Sequence, residues 1–123
     1  MDRINLEIEG DYSHLNREQE ALVNPIAAMM RNFVYDRDNP EPPYHEKTSE
    51  LKREFPEHIK LLLSIEQKIE DLGAMDKARK GIQNDEVDRQ HSVLKMQQIA
   101  LMKAMAIKKF GSVDKFMEWW LSD

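Results

Sequence analysis

The sequence predicts an all-α fold, and three observations lead to that prediction. Only four glycines occur among 123 residues, and three of the five prolines stand together as Pro40, Pro42 and Pro43. Folds made of strands use far more of these residues in their tight turns. Apolar residues recur at helical spacing along most of the chain, and the 26 residues from 85 to 110 include neither glycine nor proline. We therefore expect a single helical domain over 1–123, a bundle of about four helices whose longest member is 85–110.

The first fifteen residues are expected to form an extended segment that precedes the bundle. Ile4, Leu6 and Ile8 alternate with polar residues, and this period of two is typical of a half-buried strand. A single strand cannot satisfy its own backbone, so it would pair with the short apolar run 33–35, pair with a second chain, or remain a mobile tail. Of these, an ordered extension is favoured.

The first helix is predicted to run from about 17 to 35. Asn16 and Gln19 have the spacing of a capping box at its start. The helix then carries an apolar stripe whose phase continues through Pro25, which favours one helix kinked at the proline. In the alternative interpretation, Pro25 begins a second helix, because proline is favoured at the first helical position. The stripe consists of Leu15, Leu22, Ile26, Met29 and Phe33.

The middle of the chain is predicted to contain a proline-rich linker and two helices. Residues 36–46 hold three prolines within four positions, which favours an extended path. Such a segment is either a stiff connector or a strip that docks on another protein. A short helix is expected over 47–54 and a longer one over 56–72, with Gly73 as a left-handed C-cap.

The predicted helix over 85–110 would be about 39 Å long at 1.5 Å per residue, comparable to the width of a globule of this size. Its apolar residues lie on several sides and its basic residues are scattered among them, which indicates a core helix rather than a basic surface helix. One small domain has few helices with which to cover so much apolar surface. We therefore predict a homodimer held by this helix. The expected interface residues are Leu94, Ile99, Leu101, Met105 and Ile107.

A final helix is expected after Gly111, with Ser112 as its N-cap. Val113, Phe116 and Trp120 would share its buried face, while the neighbouring Trp119 points elsewhere. An aromatic or thioether side chain left at the surface is a typical contact for a protein partner. We expect Tyr44, Met117 and Trp119 to be such contacts.

Composition and motifs exclude more functions than they suggest. The absence of cysteine excludes disulfides and thiolate sites. The net charge of −5 does not favour binding to nucleic acid. No apolar leader or membrane-length segment is present, so a cytoplasmic location is expected. Without a nucleophile elbow, a phosphate loop or a spaced histidine set, we expect no enzyme activity, no metal and no cofactor. The predicted function is a small helical module, an accessory, adaptor or inhibitor protein, that binds another protein.

Two alternative functions follow from the acidic residues. All-α nucleotide pyrophosphohydrolases bind magnesium through paired carboxylates on facing helices, and the pairs Glu54 with Glu57 and Asp85 with Asp88 have a suitable spacing. A magnesium-dependent hydrolase is therefore the first alternative. The second is an acidic inhibitor that mimics nucleic acid, although the acids of this chain are sparse for that role.

Overall fold

The residues that the structure describes form a bundle of five α-helices. The structure is a computed structural model, and it describes residues 4, 10, 12–35, 44–78 and 85–122. The helices are α1 (Arg17–Met30), α2 (Tyr44–Glu54), α3 (Pro56–Ala78), α4 (Asp85–Phe110) and α5 (Val113–Leu121). No strand occurs in the described ranges, so the predicted all-α class is confirmed.

Helix α1 begins with the expected capping box. The Asn16 side chain accepts a hydrogen bond from the Gln19 amide at 2.8 Å, and the Gln19 side chain accepts one from the Asn16 amide at 2.9 Å. Pro25 lies inside the helix, so the interpretation of one continuous helix is confirmed and Pro25 begins no second one. The π-helical turn Arg31–Tyr35 continues it. The short apolar run 33–35 is therefore helical, and its prediction as a possible strand was wrong.

Helices α2 and α3 are both longer than expected. Helix α2 begins at Tyr44, within the segment that we predicted as linker, and residues 36–43 lie outside the described ranges. Helix α3 continues through Gly73 to Ala78, so the prediction of a C-cap at Gly73 was wrong. The reason is that good helix formers follow Gly73, and one glycine within a helix costs only about 1 kcal/mol.

Helices α4 and α5 have the predicted boundaries. Helix α4 ends at Gly111, whose φ of 92° is a left-handed conformation that favours glycine. The Ser112 hydroxyl then accepts a hydrogen bond from the Lys115 amide at 3.2 Å and caps α5. The sharp turn between the two helices therefore depends on two adjacent residues with different roles.

Helix α4 lies at the centre of the bundle. It packs against α1, α3 and α5, and this confirms that it is a core helix. Its lysines extend outward: Lys103 approaches Glu18 of α1 at 3.7 Å, and Lys109 forms an ion pair with Glu54 of α2. Six of its side chains belong to the buried core, namely Met96, Ile99, Leu101, Met102, Met105 and Ala106.

The predicted N-terminal extension lies mostly outside the described residues. Ile4 is half-buried and packs against the core. Residues 12–14 form a turn and a bend, and the Tyr12 amide donates a hydrogen bond to the Ser92 hydroxyl of α4 at 3.2 Å. The end of the extension is thus tied to α4 just before α1 begins. In the described part of the chain, every helix is too short or too polar to cross a lipid bilayer.

Candidate functional surfaces and cavity

The outward face of α4 carries a narrow apolar stripe, formed by Val93, Ala100, Ala104 and Ile107. Val93 is 40% exposed and Ile107 is 47% exposed, whereas the two alanines between them are half-buried. Val93, Ala100 and Ile107 recur at intervals of seven residues, which keeps them on one side of a helix. The stripe is about 21 Å long at 1.5 Å per residue.

This stripe differs from the predicted interface set. Ile99, Leu101 and Met105 are at most 3% exposed, so they pack within the chain and are not available at its surface. Leu94 is half-buried and Ile107 is exposed. The helices α1, α3 and α5 pack against α4 and cover more of it than the sequence indicated. The seven-residue spacing of Val93, Ala100 and Ile107 is present in the sequence. Apolar residues on the other faces of the helix prevent it from being recognised as a separate stripe.

A groove of about 450 Å³ between α3 and α4 adjoins the stripe at Val93. Its floor consists of Leu72, Val93 and Leu94, and charged residues such as Lys68 and Arg89 form its rim. An apolar floor with a polar rim is the usual composition of a binding groove.

A second groove separates α1 from α5. It consists of two adjoining hollows of about 420 and 330 Å³ that share Ala21 and Met117. Small residues of α1 line one side, and Leu121, 65% exposed, stands at one end. Because Pro25 lacks an N–H, the Ala21 carbonyl has no donor at the usual fourth position. The groove therefore has a predicted contact residue, Met117, where its two hollows adjoin.

Trp119, another predicted contact, is half-buried in an aromatic cluster. Its ring lies 5.0 Å from that of Phe110 and 5.9 Å from that of Phe116. The ammonium groups of Lys47 and Lys109 each lie 5.7 Å from its centroid, within the range of a cation–π interaction. These contacts occupy much of the ring, so Trp119 joins helices of this chain to one another.

Lys47 also caps the C-terminal end of α5. Its ammonium group donates hydrogen bonds to the carbonyls of Trp119 at 2.6 Å and Trp120 at 2.9 Å, and to that of Ser122. A cation at this position supplies further donors to the last carbonyls of the helix and interacts favourably with the helix dipole. It thereby holds the start of α2 against the end of the chain.

The structure describes the side chains of three of the four acids of the magnesium alternative. Glu54 forms its ion pair with Lys109, and Glu57 and Asp88 are exposed. The side chains of Asp85 and of Tyr44, the third predicted contact, lie outside the described residues. Within the described ranges, no three histidine, aspartate or glutamate side chains lie close enough to hold a metal ion.

His58 is a half-buried residue of α3. Its burial lowers the pKa of the imidazole from the ordinary value, and the nearby positive charge of Lys108 lowers the pKa further. The ring packs edge-on against Phe55 with centroids 5.5 Å apart. The lowered pKa favours the uncharged imidazole, and His58 serves as a packing residue beside Phe55.

A small cavity of about 270 Å³ lies between α1, α3 and α4, beside Tyr12. Apolar residues, among them Val23, Ile26 and Met30, form part of its wall. Gln98, which is 1% exposed, also lines it, and its amide nitrogen donates a hydrogen bond to Glu66 at 2.8 Å. The Gln98 carbonyl oxygen is buried and accepts no hydrogen bond from the described residues. None of the predicted site residues is Gln98, although a glutamine amid the apolar residues of a core helix was the available signal.

Comparison with protein families, with curated proteins and with solved structures finds no match to this chain.

Proposed function

We propose that this chain is a small helical protein-interaction module that binds a second copy of itself along α4 and another protein in the groove between α1 and α5. One observation carries the proposal. Within the described part of the chain, the three exposed large hydrophobic residues occupy only these two places: Val93 and Ile107 on the stripe, and Leu121 at the groove. Exposed apolar residues that cluster at such sites are typical of interfaces.

The α4 stripe fits a second copy of the same helix in antiparallel orientation. Val93 and Ile107 are each seven positions from Ala100, so a two-fold axis near Ala100 would place Val93 against Ile107 of the second copy. The small side chains of Ala100 and Ala104 would allow the helices to approach closely. This orientation also places Lys103 opposite Gln97 of the second copy. A parallel pairing would instead place Lys103 beside Lys103 of the second copy, and the two positive charges would repel each other.

Substitution of Ile107 by aspartate tests self-association. We expect the unchanged chain to be a dimer at micromolar concentration, and Ile107→Asp to be a folded monomer, because the carboxylate would lose water inside the interface. Light scattering measures the mass, and far-ultraviolet circular dichroism reports whether the helices are retained. Leu121→Asp is the matched control, since it places the same charge on an exposed aliphatic residue outside the stripe, and it should remain a dimer. A mass near 14.5 kDa for the unchanged chain, independent of concentration, would contradict this part of the proposal.

The α1–α5 groove fits an amphipathic helix of another protein. Recognition of this kind uses apolar side chains at helical spacing that enter a groove. Met117 is a flexible thioether that adapts to such side chains, and Leu121 extends the apolar surface at one end of the groove.

A pair of variants tests the groove. Ala21→Arg fills the groove from α1, where arginine is a good helix former, so the fold should be retained. We expect a protein captured from the native host by the unchanged chain to be lost with Ala21→Arg and kept with Ile107→Asp. The captured protein is identified by mass spectrometry, purified and titrated against all three chains. Equal binding by the unchanged chain and Ala21→Arg would exclude the groove as the binding surface.

A further inference from the structure

The groove between α3 and α4 continues the apolar stripe of α4, because Val93 belongs to both. On the α3 side of the groove, Leu72 contributes to the apolar floor and Asp71 to the rim. Asp71 is exposed and accepts a hydrogen bond from Gln67 at 3.1 Å. It forms no ion pair with another residue that the structure describes. The groove therefore offers an apolar floor and an acid to the chain that covers the neighbouring stripe.

The other charges at the rim leave Asp71 open to a cation. Arg89 forms an ion pair with Glu86, one turn earlier in α4. Lys68 lies three residues before Asp71, about 4.5 Å further along α3. A cation that is level with Asp71 therefore approaches the acid more closely than it approaches Lys68.

Lys108 has the matching charge on the matching side of α4. Eighteen residues, or five turns of the helix, separate it from Gln90, which lines the groove, so the two residues lie on the same side. The charge of Lys108 acts on His58 of α3, as expected for the side that faces α3. Its neighbour Lys109 pairs with an acid of α2. Lys108 is exposed and has no such partner among the described residues.

The two-fold axis proposed for the α4 stripe brings these two charges together. In one chain, Asp71 and Val93 line the same groove, and Val93 is fifteen residues of α4, about 22 Å, from Lys108. The axis near Ala100 places Lys108 of the second copy level with Ser92, one residue from Val93. It is perpendicular to the plane of the two antiparallel α4 helices, so α3 lies on the same side of that plane in both copies. Lys108 of one copy thus faces the groove of the other.

We propose that the α3–α4 groove holds Lys108 of the second copy, whose ammonium group pairs with Asp71. The aliphatic stem of the lysine covers the floor at Leu72 and Leu94, as lysine stems do on apolar surfaces. The axis repeats the contact, so each dimer contains two of them. This inference rests on the proposed self-association along α4. It adds a charge pair that favours the antiparallel orientation, because a parallel pairing would place Lys108 beside Lys108 of the second copy.

Mixing two charge-reversed variants tests this pair. Asp71→Lys and Lys108→Glu each create two like-charge contacts in their own dimer, so sedimentation equilibrium should show a dissociation constant raised roughly tenfold or more. In a mixture of the two variants, the introduced lysine faces the introduced glutamate, and the native Asp71 faces the native Lys108. A heterodimer should therefore form with about the affinity of the unchanged chain, which a purely intrachain role of either residue would not produce.

The control variant and the possible outcomes separate this inference from the proposed dimer. Lys60→Glu changes an exposed lysine of α3 that lines neither the stripe nor the groove, and it should dimerise like the unchanged chain. If Asp71→Lys and Lys108→Glu also dimerise like the unchanged chain while Ile107→Asp is a monomer, the groove does not hold Lys108, although α4 still binds a second copy. A mixture that remains monomeric leads to the same conclusion. An unchanged chain that is monomeric would overturn both proposals.

A zero-length cross-link in the unchanged chain provides a measurement that needs no variant. A carbodiimide joins a carboxylate to an amine only where the two groups meet, and the separation of about 22 Å prevents this link within one chain. We expect mass spectrometry of an equal mixture of isotope-labelled and unlabelled chains to show Asp71 of one kind linked to Lys108 of the other. Links from Lys108 to other carboxylates of the second copy, with none to Asp71, would refute the assigned contact.

Discussion

Leu101→Asp is expected to unfold the protein. Leu101 is completely buried at the middle of α4, the helix that packs against three of the others. An aspartate there must either lose its hydration as a carboxylate or take up a proton, and both cost several kcal/mol. The loss of apolar packing adds about 2–5 kcal/mol. Since a domain of this kind has a total stability of about 5–15 kcal/mol, the cooperative thermal transition seen by circular dichroism should disappear or fall by tens of degrees.

Two control variants show whether the buried carboxylate causes that loss of stability. Leu101→Met keeps the volume nearly constant and should cost less than about 1.5 kcal/mol. Ile107→Asp places the same charge on the exposed side of the same helix, so the helices should stay folded and only the proposed self-association should be lost. Full retention of the melting temperature by Leu101→Asp would contradict the central position of α4.

Phe116→Ala is expected to have the second largest effect. Phe116 is completely buried, and its ring centroid lies 5.9 Å from those of Phe110, Trp119 and Trp120. Removal of a buried phenylalanine side chain costs about 3–5 kcal/mol, and each aromatic pair contributes beyond its buried area. Denaturant titration should therefore give a free energy of unfolding lower by several kcal/mol.

Tryptophan fluorescence provides a second measurement for Phe116→Ala. Both tryptophans contact the removed ring, so water should reach them and shift their emission to longer wavelength in the folded state. Leu121→Ala is the control, because this residue of the same helix is 65% exposed and should change neither stability nor emission. If Phe116→Ala had the stability of the unchanged chain, the aromatic cluster would not hold α5 to the bundle.

The boundaries of three helices could be predicted because neighbouring residues determine them. Asn16 and Gln19 cap α1 through each other's side chains and backbone, and Gly111 and Ser112 separate α4 from α5. The prediction of a C-cap at Gly73 was wrong because a glycine serves as a C-cap only when the chain after it leaves the helix. Here helix formers follow, and α3 packs on α4, so the small local cost of glycine is offset.

The sequence alone determined the all-α class, the start of α1, both ends of α4 and the buried face of α5, because each depends on periodicity or on contacts between residues a few positions apart. It did not reveal which side of α4 remains exposed, since apolar residues surround that helix and only the positions of α1, α3 and α5 select the side that stays uncovered. For the same reason, the predicted interface set includes Ile99, Leu101 and Met105, which are buried within the chain, and omits Val93, which is exposed. Gln98 acquires its unsatisfied carbonyl only because Glu66, 32 positions away, engages the amide nitrogen, and contacts at such separation depend on packing that no local pattern encodes.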